Sequence, residues 1–177
     1  MNKEKISVLI SGIAGSGKSF IAKHLASIGI EAYDIEDDGE MFKMYRLDTR
    51  EVFRNYQNSN MEHVKNASWN CDVNLLKKLI KNQKTKLAFY SGIASNMEEI
   101  IPLFDKFILL KASKPVLYKR LLGRTGENDY GNTQAGRQRI LASKDEFEKK
   151  MISQGAIVID ADGDADIVSK RILEKTS

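Results

Sequence analysis

Eight residues near the N-terminus, Gly12-Ile13-Ala14-Gly15-Ser16-Gly17-Lys18-Ser19, restrict what this chain can fold into more than any other stretch. They match G-x-x-x-x-G-K-[ST], a glycine-rich turn whose backbone N–H groups converge on phosphate oxygens. Gly12 and Gly17 let the backbone curl where a Cβ would obstruct it, and Ala14, Gly15 and Ser16 complete the cradle. Lys18 brings a full positive charge between the β- and γ-phosphates. The Ser19 hydroxyl is the compact hard oxygen that Mg²⁺ accepts in an octahedral shell. The flanks supply the setting. Residues 6–10 form a short β-rich run, and Ile21, Ala22, Leu25 and Ile28 recur at helical spacing up to Gly29. Strand, glycine loop and helix N-terminus together make an anion site, because the helix dipole and its free N–H groups point at the ligand. The chain is expected to bind ATP with Mg²⁺.

Strand-like and helix-like segments alternate through the rest of the sequence. Residues 30–35 read as a short edge-like strand running into the acidic group Glu36-Asp37-Asp38. Asp48 and Glu51 have capping-box spacing for a short helix, as do Ser95 and Glu98. From 60 to 81 a helical stripe of Val64, Ala67, Cys71, Leu75 and Leu79 is flanked by Trp69, Val73, Leu76 and Ile80. Residues 87–90 read as a buried strand ending at Ser91-Gly92, and 107–110 as the most apolar strand. Ser113 caps the next helix, with Pro115 in its first turn. Residues 123–136 carry four glycines and almost nothing apolar. A helix over 137–153, a strand over 156–160 and a last amphipathic helix follow. Five strands separated by helices predict a three-layer α/β/α domain with a mainly parallel sheet over residues 1–177. Ligands in such sheets bind beyond the carboxyl ends of the strands, so the loops after residues 11, 35, 91, 110 and 160 share one rim.

The early P-loop, the acidic group after the second strand, and Arg120-Leu-Leu-Gly-Arg124 before a glycine-rich insertion resemble the small-molecule P-loop kinases. That group includes the shikimate, gluconate and nucleoside monophosphate kinases. The resemblance implies a substrate-binding helical region at about 38–80, a lid at about 123–145, and Mg²⁺-dependent transfer of the ATP γ-phosphoryl group to a small acceptor. Catalysis in such enzymes is mainly positioning and charge stabilisation. It implies Lys18, Asp34, Arg120 and Arg124 as catalytic residues, and Ser19 and Asp34 as the metal's oxygen donors. It also implies Asp34, Glu36, Asp37 and Gly92 as substrate contacts. On an extended segment Asp34 and Glu36 face the same way; the same carboxylates also suit the N-terminus of a following helix. Arg120 and Arg124 stand one helical turn apart, suited either to clamping phosphate or to a solvated helix end. The lid lacks paired cysteines, and glycines 123, 126 and 131 give it hinge freedom. Arg137 and Arg139 flank it more loosely.

Trp69 could stack on a substrate base or fill a core. Asp160, Asp162, Asp164 and Asp166 alternate, but their glycine is misplaced for a calcium loop, so they read as strand-end and helix-cap residues. His24 and His63 have no partner spacing for a metal. Arg46, Arg50 and Arg54 could hold an anionic acceptor or lie on a helix surface. A net charge of +4 from scattered lysines fits a polyanionic small molecule; it favours neither nucleic acid nor membrane. Lone Cys71 gives no disulfide framework, and no export signal or membrane-length apolar run occurs, so a cytoplasmic monomer or homodimer is expected. The expected acceptor is a nucleoside or nucleotide, then a sugar acid or shikimate-like metabolite. An antibiotic-modifying kinase would share this architecture. The rival from another class is a nucleotide-dependent switch or assembly ATPase with a protein or RNA partner.

Overall fold

The computed structural model describes residues 5–125 and 129–176. In chain order the elements are β1 (Ile6–Ser11), α1 (Lys18–Ser27), β2 (Glu31–Asp34), β3 (Phe42–Arg46) and α2 (Met61–Lys65). Then come β4 (Ala67–Cys71), α3 (Val73–Lys81), β5 (Leu87–Ser91), α4 (Met97–Ile100) and β6 (Lys106–Lys111). The chain continues through α5 (Lys114–Leu122), α6 (Gln134–Ser153), β7 (Ile157–Asp160) and α7 (Ala165–Thr176).

Five strands form one parallel sheet in the order β2-β5-β1-β6-β7, so every carboxyl end lies on one rim. In the central strand β1, Val8, Leu9 and Ile10 are fully buried. The two-residue period of a strand divides them between the faces. Val8 and Ile10 pack with Leu25, Leu117, Leu121 and Ile172 of α1, α5 and α7. Leu9 packs with Leu76, Met97 and Ile100 on the α3–α4 side. Each such side chain contributes about 1.5–3 kcal/mol of burial, which fixes β1 and hence the glycine loop that leaves its end.

The edge strand β2 is anchored through Glu31. Its carboxylate accepts from the Lys84 N–H at 2.9 Å, the Thr85 N–H at 2.6 Å, the Thr85 hydroxyl at 2.7 Å and the Tyr33 hydroxyl at 2.7 Å. Burial disfavours the charge, but these donors outweigh it and hold the carboxyl down at about 2. A carboxyl depressed on folding stabilises the fold above its unfolded value of about 4.3 and loses that contribution as pH falls toward the folded value. Thermal melts of wild type and Glu31→Gln are therefore expected to differ at pH 6 and to converge between pH 4 and 2. A gap that stays constant over that interval would refute the assignment.

Three sequence expectations change. The helix over 60–81 is instead α2, β4 and α3, because two polar caps punctuate it. Asn66 ends α2, and the Asp72 side chain accepts from the N–H groups of Asn74 and Leu75 to start α3. The five residues between them pair antiparallel with β3, Phe42 opposite Cys71 and Met44 opposite Trp69. Region 38–80 is thus a hairpin with two helices. Asp48 and Glu51 cap no helix: the chain turns there, with Arg50 at φ 63° and Tyr45 bridged to Val52. Ser95 caps nothing either, since its hydroxyl accepts the Trp69 N–H.

The remaining segments keep the expected types. The strand expected at residues 30–35 lies on the sheet edge as β2, and Ser113 is the N-cap residue of α5. The helix expected over 137–153 begins earlier, at Gln134, so the later part of the 123–145 segment is helical. Gly126 lies outside the described residues. No helix among the described residues is long and apolar enough to cross a membrane.

Candidate functional site

The glycine loop is shaped by close approach. A Cβ on Gly12 would lie 2.4 Å from Ser16 Oγ and 2.7 Å from the Leu110 carbonyl oxygen, so no other residue fits. Gly15 and Gly17 have φ of +87° and +99°, the left-handed region that costs glycine nothing. The Ser16 N–H donates to the Ile13 carbonyl at 3.0 Å and closes the turn. Ala14 packs on the core beneath. Gly17 then opens α1, whose first N–H groups carry the positive end of the helix dipole.

Lys18 is buried, its Nζ 3.5 Å from the Ile13 carbonyl. Burial pushes its pKa down; the Glu36 carboxylate works against that shift, and Asp34 adds to Glu36. Glu36 shows the converse. Burial pushes its carboxyl up, while Lys18, the Ile93 N–H and the Trp69 indole pull it back. Its Oε1 accepts from Ile93 N at 3.0 Å and its Oε2 from Trp69 Nε1 at 3.1 Å. Each charge thus favours the other against burial, the kind of perturbation that marks a candidate functional site.

Asp34 and Glu36 do not share an extended strand. The segment after β2 turns into one 3-10 turn, Ile35–Asp37, so the two-residue period of a strand lapses. Asp34 Oδ1 caps that turn, accepting the Glu36 N–H at 3.3 Å, while the Glu36 side chain goes inward. Asp37 stays on the surface with Lys23 at 3.7 Å and does not join the group. Gly92 has its N–H occupied by the Ile10 carbonyl at 3.0 Å. A Cβ there would come within 2.7 Å of Ile35, so glycine lets the β5 exit approach the acidic turn.

Arg120 and Arg124 converge, but not by helical spacing. Arg120 is on α5; Arg124 lies beyond its end at Gly123. Arg120 Nη1 donates to the carbonyls of Gly15 at 3.4 Å and Ser16 at 3.2 Å, and Nη2 to Ala161 at 3.0 Å. Arg124 Nη1 donates to Tyr130 O at 2.8 Å, and burial works against its charge while Glu36 supports it. Both arginines line a cavity of about 390 Å³ with Lys18, Ser19, Phe20 and residues 163–165. That volume suits a small ligand.

The donor set suits Mg²⁺. Among the described residues no three His, Cys, Asp or Glu side chains gather as a metal cage. The Ser19 hydroxyl and the Asp34 carboxylate are hard oxygens, and Mg²⁺ typically takes one or two protein oxygens, with phosphate and water completing its shell. Ser16 Oγ, buried and without a partner among the described residues, is a further polar atom beside the cradle.

The alternating aspartates, the histidines and Arg46 make the following contacts, and Asp164 also lines the cavity. Asp164 caps α7 through the Ile167 N–H at 2.9 Å, and Asp162 accepts the Ser113 N–H at 2.9 Å. His24 pairs with Asp166 at 3.1 Å, and His63 Nδ1 accepts the Gln57 N–H at 3.2 Å. The Arg46 guanidinium lies 4.0 Å over the Phe53 ring. The sequence reading missed the Trp69–Glu36–Ile93 arrangement, because it depends on the hairpin that Asn66 and Asp72 delimit.

The profile of one protein family, described as an AAA domain, matches residues 8–142. No curated protein matches the sequence. Among solved structures, the Thermus thermophilus protein TT1252 is similar at a TM-score of 0.60 and 17% identity, covering 98% of this chain and 97% of that one. Shikimate kinase from Acinetobacter baumannii, in complex with shikimate, has a TM-score of 0.61 and 16% identity, covering 97% of this chain and 93% of that one. Deoxyadenosine kinase from M. mycoides with bound dATP has a TM-score of 0.55 and 16% identity, covering 97% and 99%. The shared property is the fold, that of small-molecule P-loop kinases.

Proposed function

The chain belongs to the AAA domain family, and from that premise we propose that it is an ATP- and Mg²⁺-dependent phosphotransferase acting on a small metabolite. The observation that carries this reading is the position of Lys18. It lines the cavity of Arg120 and Arg124, and its charge is also favoured by the half-buried carboxylate of Glu36. A nucleotide-binding half and an acceptor-binding half would meet at one cation. The fold shared with deoxyadenosine, shikimate and gluconate kinases supports the reading, and a nucleoside or nucleotide is the leading acceptor class.

In this mechanism the N–H groups of residues 15–18 hold the phosphates, and the Lys18 ammonium offsets charge on the transferring group. Ser19 and Asp34 would hold Mg²⁺, which supplies charge neutralisation to the phosphate chain. Glu36, rather than Asp34, would meet the acceptor hydroxyl. The acceptor oxygen forms its bond to the γ-phosphorus as the bond to the β-phosphate oxygen breaks, and the hydroxyl proton passes to the carboxylate. Arg120 and Arg124 would balance charge on the leaving ADP.

The test is ADP release from Mg·ATP in the presence of pooled nucleosides, nucleotides, sugar acids or shikimate. Strong stimulation by one pool is expected and names the acceptor class. Slow hydrolysis unaffected by every pool would replace the kinase with a nucleotide-dependent switch or assembly ATPase.

A further inference from the structure

Glu36 sits on a single 3-10 turn, which by itself does little to fix a long, flexible side chain. Its carboxylate is nevertheless held at both oxygens, by one N–H from each of two different segments. Those segments are bolted to each other. The Trp69 N–H donates to Ser95 Oγ at 3.0 Å, and the Ser95 N–H donates back to the Trp69 carbonyl at 2.7 Å. The Cys71 N–H donates to Asn96 Oδ1 at 3.0 Å, and Asn96 Nδ2 donates to the Cys71 carbonyl at 3.0 Å. Strand β4 and residues 93–96 therefore move as one piece, and Gly92 brings that piece against Ile35, the neighbour of Glu36.

The indole is aimed as well as attached. Its ring packs on Phe42 at 5.3 Å between centroids, tilted by 31°. Packing alone would be served by a phenyl ring. An indole adds an N–H that must find an acceptor when covered, and here that acceptor is Glu36. An ionised carboxylate offers about four acceptor positions. Two are taken by Ile93 and Trp69, which leaves one on each oxygen for an acceptor hydroxyl.

We propose that Trp69 is a positioning residue, whose indole N–H, together with the Ile93 N–H, fixes the Glu36 carboxylate in the orientation that receives the phosphoryl acceptor. This rests on the phosphotransferase reading above. It predicts an effect on the acceptor half of the reaction alone, since Trp69 does not line the nucleotide cavity.

The experiment combines two readouts. Trp69 is the only tryptophan in the chain, so its emission reports the contact without any acceptor. A shift in emission maximum between wild type and Glu36→Gln is expected. The second readout is steady-state kinetics of Trp69→Phe with the acceptor identified by the ADP-release screen. The phenyl variant keeps an aromatic ring beside Phe42 and loses the N–H together with some ring volume. Its kcat is expected to fall roughly 10-fold or more, the scale of one charge-assisted hydrogen bond, with acceptor KM raised and ATP KM unchanged. In a Glu36→Gln background the same substitution is expected to add little, because the two residues act through one contact.

Wild-type turnover in Trp69→Phe would overturn the proposal, as would equal additional losses in both backgrounds or an ATP KM raised in step with the acceptor KM. Unchanged emission in Glu36→Gln would overturn it at the level of the contact. If wild type shows no acceptor-stimulated turnover at all, the kinase reading fails and takes this role with it. An emission shift would then mark a purely structural hydrogen bond.

Discussion

Replacing Lys18 with methionine is expected to lower phosphoryl transfer about 10³-fold and to leave the protein folded. The two halves of that expectation have one cause. Lys18 is buried, and burial works against its charge. Methionine fills similar space with an unbranched apolar chain and removes the desolvated ammonium. Glu36 loses a counter-charge, yet it keeps the N–H groups of Ile93 and Trp69 and the neighbouring Arg124. The melting temperature should therefore move little. Turnover behaves otherwise, because the ammonium acts on charge that moves during transfer and no neighbouring group can replace it. Arg120 is tied to loop carbonyls and Arg124 to the Tyr130 carbonyl. Acceptor-stimulated ADP release and a thermal melt measure the two halves separately. Retained turnover in a folded Lys18→Met protein would remove the glycine loop from the chemistry.

The parts of the site legible in the sequence are those whose geometry is local. Gly12, Gly15, Gly17, Lys18 and Ser19 lie within one turn and one helix start, so eight residues specify their arrangement. The sheet was legible for a similar reason. Four of its strands are largely apolar runs separated by helical periods, the pattern of parallel strands joined by crossover helices. Region 38–80 was not, because its period is ambiguous. Ala67 and Cys71 fit a helical stripe and also, with Trp69, an alternating strand, and only pairing with Phe42–Arg46 decides between them.

At the acidic turn the sequence left two readings open, an extended segment past Asp34 or an acidic cap of a following helix, and the chain takes the second. Which of them forms depends on the Asp34 side chain closing on the Glu36 N–H and on Gly92 making room for Ile35. The first contact is local, and the second joins residues nearly sixty positions apart that no local pattern links. Arg120 and Arg124 illustrate the opposite accident. They do reach one cavity, but through the loop beyond Gly123 and not by the helical turn their spacing suggested.

Asp34→Asn is expected to reduce turnover at least ~100-fold with little change in stability. Two roles compete for this carboxylate: an oxygen donor to Mg²⁺, and a cap for the turn that carries Glu36. The substitution separates them. In the cap, Asp34 Oδ1 accepts a single N–H at 3.3 Å, and an asparagine carbonyl oxygen accepts the same bond. Asparagine and aspartate are comparable as N-caps, so the cap, the turn and the placement of Glu36 all survive. A neutral amide is a much poorer partner than a carboxylate for a hard divalent cation. If Asp34 holds Mg²⁺, the loss should therefore appear in kcat, and raising the Mg²⁺ concentration should restore part of it. A near-normal rate at ordinary Mg²⁺ would leave Asp34 as a cap alone. A large loss that no Mg²⁺ concentration relieves would place its charge on the acceptor instead. Asp34→Ala adds the remaining comparison: it loses the cap as well, and its unfolding free energy should fall below that of Asp34→Asn by the cost of one cap, about 1 kcal/mol.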